Sequence, residues 1–288
     1  MESTFTYQTS DLTSLLPKRP KNANKGDFGK VLCIAGSKGM AGSAYLCAKA
    51  SYYIGAGLVK IYTHESNRII LQTLLPEAIV HTYDTFAQEQ IQELLDWSSV
   101  VCIGSGLGMS TTSYELMQYV IDQARTPLII DGDGLHILAH KPELLKVLQS
   151  NHVLTPHVKE MSRMIHIDVE MIKSSPFYAL QELKQVTNAV IALKDATSLV
   201  TQREKATYVN TSGNVCMAKA GSGDVLVGII AGLIAQQVDA FQATCAAVYL
   251  HGLSGDDCQS KYGSYSVMAS DLIDGLREIT KFDIMVQV

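Results

Sequence analysis

Short apolar runs that alternate with amphipathic helical stretches predict an α/β fold, a three-layer αβα sandwich around a mostly parallel sheet. Six runs rich in Val and Ile carry the strand signal: residues 30–36 (KVLCIAG), 58–63 (LVKIYT), 99–106 (SVVCIGSG), 127–134 (PLIIDGDG), 152–157 (HVLTPH) and 189–195 (AVIALKD). Helical stretches such as MAGSAYLCAKASYYIGA, TTSYELMQYVIDQA and SSPFYALQELKQVT lie between them. After residue 195 the pattern changes, because SLVT and ATYVN flank the charged turn TQREK and read as a hairpin. Beyond Gly221 the chain reads helical to its end. No linker, low-complexity tract or internal repeat interrupts it, so a single domain over 1–288 is expected, with 1–23 as an N-terminal extension.

Composition narrows the function classes. At 47% hydrophobic and 18% charged, 288 residues supply ample material for a core. A formal charge of −5 argues against nucleic acid as a partner, which normally calls for a basic face. The first twenty residues are polar and carry no signal-peptide pattern, and the longest apolar run is far short of the roughly 20 residues that cross a bilayer. A soluble, cytoplasmic protein is expected. Its six cysteines are scattered without a CxxC pair and read as reduced core thiols. His136 and His140 would share a helix face, but the HILAH stretch lacks the glutamate of a zinc motif, so no protein-held metal is expected.

The chemistry concentrates in residues 210–236. A polar turn (Asn210, Ser212, Gly213, Asn214) precedes a glycine-bracketed loop (Gly221, Ser222, Gly223, Asp224), which opens an apolar run from Val225 to Ala235. Such a loop feeds the first turn of a buried helix, so its free N–H groups and the positive end of the helix dipole form an anion site. Glycine is needed there because a side chain would keep an anion from the backbone. Asp224 is out of keeping with an anion site unless it works as a base on a hydroxyl that attacks the anion. Helix capping alone is the alternative role.

In a parallel sheet, ligands collect at the carboxyl ends of the strands. That rule selects residues 36–42, 104–108, 131–134, 155–160 and 194–198. Among them are glycine loops that admit a ligand to the backbone, the polar groups of His157 and Glu160, and the positive charge of Lys194. A dinucleotide-binding reading of SVVCIGSGLGMS fails on spacing, GxGxG rather than GxGxxG, and on its mid-chain position. A P-loop reading fails because neither glycine loop carries Gly-Lys-Ser/Thr.

From Asn24 onward the motifs NKGDFGKVLCIAGS, IGSGLG, LIIDGDGL, LTPHVKE, ALKDATSLV and NTSGNVCMAKAGSGDVLVG occur in order. In these the chain resembles the ADP-dependent NAD(P)H-hydrate dehydratases, standalone carbohydrate-kinase-related repair enzymes of the ribokinase-like superfamily. It departs from the family pattern at Val158-Lys159-Glu160, where the family often has Pro-Gly-Glu, and at Ala220, Ser222, Gly132 and Gly134.

The resemblance implies that (6S)-NAD(P)H hydrate is returned to NAD(P)H while ADP becomes AMP and phosphate. Phosphorylation makes the ring hydroxyl a good leaving group, and the ring nitrogen then expels phosphate. It implies Asp224 as the base and Gly221, Ser222 and Gly223 as the cradle of the phosphoryl group. It sets the hydrated cofactor against Ala41, Gly106, His157 and Asp224, and the adenine nucleotide against Lys194, Asp195, Ala196, Thr197, Ser198 and Gly223. Magnesium is expected with the nucleotide phosphates, and Lys25 and Asp27 at the mouth of the substrate site. A homotetramer is expected from kinship, and the stretch AFQATCAAVYLHGLSG could serve as core or interface. Within 288 residues there is no room for the epimerase domain fused to this module in some relatives, so a separate NAD(P)H-hydrate epimerase is the expected functional partner. The alternative function is a small-molecule kinase of the same superfamily, acting on a vitamin-precursor alcohol and releasing the phosphorylated product.

Overall fold

The computed structural model describes residues 3–281. Ten strands form one sheet: β1 (Thr4–Phe5), β2 (Lys30–Ile34), β3 (Leu58–His64), β4 (Ile79–Tyr83), β5 (Val100–Ile103), β6 (Leu128–Ile130), β7 (Val153–Leu154), β8 (Val190–Leu193), β9 (Leu199–Thr201) and β10 (Thr207–Val209). Their order is β1-β10-β9-β8-β7-β6-β5-β2-β3-β4. From β4 across to β8 every pairing is parallel, and β9 and β10 add the expected antiparallel hairpin.

Twelve helices connect and cover the strands. They are α1 (Leu12–Leu15), α2 (Ala41–Tyr53), α3 (Arg68–Leu74), α4 (Gln88–Trp97), α5 (Thr111–Gln123), α6 (Asp133–His140), α7 (Val158–Ile165), α8 (Val169–Ser174), α9 (Pro176–Val186), α10 (Ser222–Ala235), α11 (Ala240–Ser266) and α12 (Ala269–Ile279). Strand alternation divides the core in two. Val31 and Cys33 of β2 join the cluster formed with α2, α10, α11 and α12, whereas Leu32 and Ile34 face α4 to α9. The sandwich is therefore three-layered, as the sequence predicts. The stretch AFQATCAAVYLHGLSG lies in α11, and most of its apolar residues are buried within the chain itself.

The two strands that the apolar pattern does not announce are the two at the sheet's edges. In β4 the run is broken by His81 and Thr82, and its first residue, Ile79, is exposed. The other, β1, is two residues long, yet it integrates the 1–23 segment into the sheet, pairing Phe5 with Tyr208. Tyr7 follows it into an aromatic wall with Tyr208 and Tyr249, at ring-centroid distances of 4.9 and 5.9 Å. Further along, the Arg19 guanidinium lies 3.6 Å from the centre of the Phe28 ring and donates to the Gly55 carbonyl at 3.0 Å.

What positions the site is the contact between α2 and α10. A Cβ on Gly228 would lie 2.2 Å from the Cys47 carbonyl oxygen, and one on Gly232 would lie 2.2 Å from Ile54 Cγ2 and 2.8 Å from the Ser51 carbonyl oxygen. The two backbones therefore touch, and Ser51 Oγ donates across the contact to the Gly228 carbonyl at 3.1 Å. Gly228→Ala should lower the free energy of unfolding by about 2–3 kcal/mol, the scale of overpacking in a closed core. Chemical denaturation of the variant checks this, and an unchanged midpoint would show that the crossing tolerates a side chain.

Candidate active site

The carboxyl ends of β2, β5, β6, β7 and β8 converge with the start of α10. Asp131 directly follows β6 and is 5% exposed. Its Oδ1 accepts from Lys194 Nζ at 2.6 Å and from Thr155 Oγ1 at 2.6 Å. Lys194 follows β8, and residue 157 pairs with it in a bridge that extends the β7–β8 register past the strand ends. Burial alone would depress the Lys194 ammonium, but the carboxylates of Asp131, Glu160 and Asp224 outweigh it and raise its pKa. Lys194 is a cation throughout the physiological range.

His157 caps α7. Its Nδ1 accepts from the Glu160 N–H at 3.1 Å, and its own N–H donates to Glu160 Oε2 at 2.8 Å, a reciprocal capping box. Capping and ligand contact do not compete in this geometry, because the imidazole remains about half exposed beside the cleft. Burial pushes the Glu160 carboxyl up to about 7, with the Lys194 charge pulling it back, and burial next to Lys194 lowers the pKa of His157. Neutral His157 accepts the N–H at the helix start without repelling the positive end of the dipole.

At the α10 terminus Gly221 has φ +90°, a conformation that favours glycine, and this turns the chain into the helix. The Val225 N–H already donates to the Gly221 carbonyl at 3.1 Å, and the Ser222 N–H donates to the Lys219 carbonyl at 3.3 Å. The anion-facing amides of the helix's first turn are therefore those of Gly223 and Asp224, fewer than the four that the loop pattern suggests. A Cβ on Gly223 would lie 3.3 Å from Lys194 Nζ, so the glycine leaves room for an anion between the ammonium and the helix start.

Asp224 lies between the start of α2 and a cleft. Burial raises its pKa, the nearby Asp131 raises it further, and hydrogen bonds from the Ser105 and Ser43 hydroxyls together with the Lys194 charge oppose the shift. Ser43 lies in the first turn of α2 and Ser105 just beyond β5. Gly106, with φ +59°, lies against Ser43: an added Cβ there would be 2.9 Å from Ser43 Oγ. Ala41, Gly106 and Asp224 thus share one side of the carboxylate. On the other side opens a cleft of about 820 Å³ lined by His157, Lys194, Asp195, Ala196, Ser198 and the loop 221–224, among others. Thr197 belongs to the same turn but is exposed and is not among the lining residues.

The polar turn at 210–214 forms part of the cleft wall and is fixed onto α11. Ser212 Oγ donates to the Tyr249 carbonyl at 2.8 Å, and Asp256 accepts from the Gly213 N–H at 3.0 Å and from Asn214 Nδ2 at 2.8 Å. Asp256, His251, Ser43, Ser105 and the Asp131–Lys194 pair are participants that sequence reasoning missed. Of these, Asp131, Lys194 and Ser105 lie in strand-end loops that the sequence selects, and what it did not show is the pairing of Asp131 with Lys194.

Lys25 and Asp27 do not reach the site within this chain. Asp27 Oδ2 accepts from the Asn24 N–H at 2.7 Å in a local capping box. The adjacent Gly29 abuts Ala235, the last residue of α10. The 14 residues of α10 rise about 21 Å, so NKGDFG lies at the amino end of the strands and the site at the carboxyl end. The paired histidines of HILAH have a local role too: Tyr114 Oη lies 2.6 Å from His140 Nδ1. A different cluster gathers in the core, where the thiol sulfurs of Cys33, Cys47 and Cys102 all lie within 4.8 Å of one another. Their separation in sequence gave no hint of it.

Comparison with known proteins gives the geometry a family. The NAD(P)H-hydrate dehydratase family profile matches residues 31–278. An ADP-dependent (S)-NAD(P)H-hydrate dehydratase of Neisseria meningitidis is 32% identical over 249 residues, covering 85% of this chain and 82% of that protein. A bifunctional NAD(P)H-hydrate repair enzyme of Coxiella burnetii is 35% identical over 263 residues, covering 91% of this chain and 52% of that protein. The chain thus spans about half the length of the bifunctional relatives it matches. Among solved structures, a ribokinase-like superfamily protein of Enterococcus faecalis superposes with a TM-score of 0.87 at 27% identity, covering 97% of this chain and 96% of the other. The ADP/ATP-dependent NAD(P)H-hydrate dehydratase of Bacillus subtilis, co-crystallised with ATP/Mg2+, gives 0.84 at 26% identity, covering 98% and 99%. With the profile matching from β2 to α12 and across the residues of the site, the chain belongs to the NAD(P)H-hydrate dehydratase family, on a ribokinase-like α/β fold.

Proposed function

We propose that this chain dehydrates NAD(P)H hydrate at the expense of ADP, and that Asp224 is its base. The observation that carries the reading is the position of Asp224 on the wall of the cleft, with Ser43 and Ser105 on one side and Lys194 on the other. A base that serves a hydroxyl nucleophile and an incoming phosphoryl group has to touch both sides. The adenine nucleotide occupies the cleft along Lys194, Asp195, Ala196, Ser198 and Gly223, with Thr197 shaping its turn. The hydrated nicotinamide lies against Ala41 and Gly106 and extends past Asp224 to His157 on the wall of the cleft. The relative from Neisseria, named as ADP-dependent, supports ADP as the donor.

In this arrangement Asp224 accepts the proton of the ring hydroxyl while its oxygen attacks the terminal phosphorus of ADP and AMP departs. The amides of Gly223 and Asp224 and the Lys194 ammonium meet the charge on the phosphoryl group in flight. The ring-nitrogen lone pair then breaks the C–O bond and releases phosphate, and loss of a proton from the neighbouring ring carbon restores the dihydronicotinamide. Magnesium would arrive with the nucleotide phosphates and neutralise part of their charge. The hard carboxylate oxygens of Asp131 and Glu160 beside Lys194 suit it. Six buried free cysteines suit a reducing, cytoplasmic setting, and among the described residues no helix is long and apolar enough to cross a membrane. The same reading includes a single functional domain, a homotetrameric assembly and a separate epimerase that supplies the reactive epimer.

The direct test follows the near-ultraviolet absorbance of the dihydronicotinamide in purified protein with magnesium, hydrated NADH, and ADP or ATP. Absorbance should recover with ADP, with one AMP and one phosphate per NADH formed. Recovery with neither nucleotide, in protein that binds one, would sink the proposal and favour the kinase alternative.

Asp224→Asn should lower kcat by about 100- to 10,000-fold while ADP still binds, as rate and calorimetric measurements would report. The same variant should be more stable at neutral pH. An aspartate whose folded pKa is raised contributes stability that is full below its ordinary value and is lost as pH rises through the raised one. At pH 7 the carboxylate is therefore a cost to the fold, and removing it should raise Tm by about 2 °C. Lys194→Met should weaken ADP binding by about 10- to 100-fold and destabilise the protein, because it leaves Asp131 buried without its counter-ion. Undiminished ADP affinity in that variant would remove Lys194 from the nucleotide site.

A further inference from the structure

His251 has no part in the reaction just described, yet it is built into the wall of the cleft. It projects from the middle of α11, is 8% exposed, and brings Nε2 to 3.3 Å from Ser222 Oγ. Ser222 is the first residue of α10, and its N–H is already committed to the Lys219 carbonyl. What this residue can offer an anion is therefore its hydroxyl alone. Both side chains line the cleft together with Lys194 and Gly223.

The imidazole is neutral. Burial, with the Lys194 charge adding to it, lowers the His251 pKa to about 4. A neutral imidazole carries one donor nitrogen and one acceptor, and the tautomer decides what Ser222 can do. If Nε2 accepted the Ser222 proton, the hydroxyl would turn its lone pairs toward an incoming phosphate and repel it. If Nε2–H donates to Oγ, the serine proton is free to point at the anion. In a cleft built around a cation and a helix N-terminus, bound phosphate selects the second arrangement.

We propose that His251 is a positioning residue that holds the Ser222 hydroxyl as a hydrogen-bond donor to the phosphate chain of the bound nucleotide. The nucleotide cleft of the dehydratase reading is assumed. The acceptor of the phosphoryl group is not, so the pair would serve a kinase equally.

The test is a double-mutant cycle on the full chain with Ser222→Ala, His251→Leu and the combined variant. Calorimetry measures ADP affinity, and hydrate turnover is followed in parallel. Each single variant should lose about tenfold in ADP affinity, and the combined variant should lose the same tenfold rather than a hundredfold, because one hydrogen bond is removed in all three. His251→Gln, whose amide can also donate, should stay within threefold of the wild type, whereas a merely space-filling histidine would be replaced better by leucine. Thermal unfolding separates folding defects from binding. If His251→Leu does not fold, the comparison of His251→Gln with Ser222→Ala and wild type decides. Additive losses, or no loss in either single variant, would overturn the pair. Coupled losses in ADP affinity without any hydrate turnover by the wild type would leave the pair standing and overturn the dehydratase reading instead.

Discussion

Close contact between α2 and α10 is the constraint on which the site depends. Both helices begin at the carboxyl edge of the sheet, α2 with Ala41 and Ser43 and α10 with Ser222, Gly223 and Asp224. Gly228 and Gly232 let the two backbones meet, and Ser51 ties them with a hydrogen bond. The contact between the two helices keeps their starts together, so that Ser43 of one stays beside Asp224 of the other. Interior glycines are poor for helix propensity, at about 1 kcal/mol each relative to alanine. Their presence in a helix that is otherwise apolar on every side is explained by this approach, which burial of larger side chains would prevent.

The sheet acts as a ruler for the rest. Its parallel register brings Gly36, Gly104, Asp131, Thr155 and Lys194 to one edge, because Ile34, Ile103, Ile130, Leu154 and Ile191 stand side by side near the ends of their strands. Asp131 and Lys194 are 63 residues apart in sequence and 2.6 Å apart in space. A buried pair of this kind is expensive to desolvate and contributes little net stability. Its retention is better explained by what it holds ready: a cation aimed at the place where phosphate must lie.

Much of this was readable from residue patterns. The β–α alternation gave the layers and the direction of the strands, and the strand-end rule then found the loops that form the site. The loop 221–224 was legible because glycine, acid and apolar helix occur in an uninterrupted order, each with a distinct physical reason. What escaped was whatever depends on pairs distant in sequence. His251 and Asp256 sit inside a long helix whose sequence reads as core, and only the folded α11 shows that one face of it is the wall of the cleft. The edge strands β1 and β4 escaped for a different reason, since an edge is half solvated and its apolar signal is correspondingly weak. NKGDFG misled because a motif marks a family without marking a location. Its glycine and capping box shape the turn into β2 at the far end of the strands, where Gly29 meets the last turn of α10.

The electrostatics of the cleft also bear on how it turns over. Three carboxylates, Asp131, Glu160 and Asp224, surround a single ammonium at Lys194; burial raises the pKa values of Glu160 and Asp224, and the charge of Asp131 adds to both shifts. An arriving phosphate adds negative charge to a site that already carries an excess of it. It can bind because the helix start and Lys194 supply the opposing field, and because the raised pKa of Glu160 lessens the excess. After the phosphoryl group has crossed to the hydroxyl, the proton taken by Asp224 neutralises that carboxylate. That transfer leaves the net charge of the site unchanged, because the proton comes from the attacking hydroxyl, and regeneration of Asp224 as a carboxylate beside the freed phosphate would help to drive phosphate out.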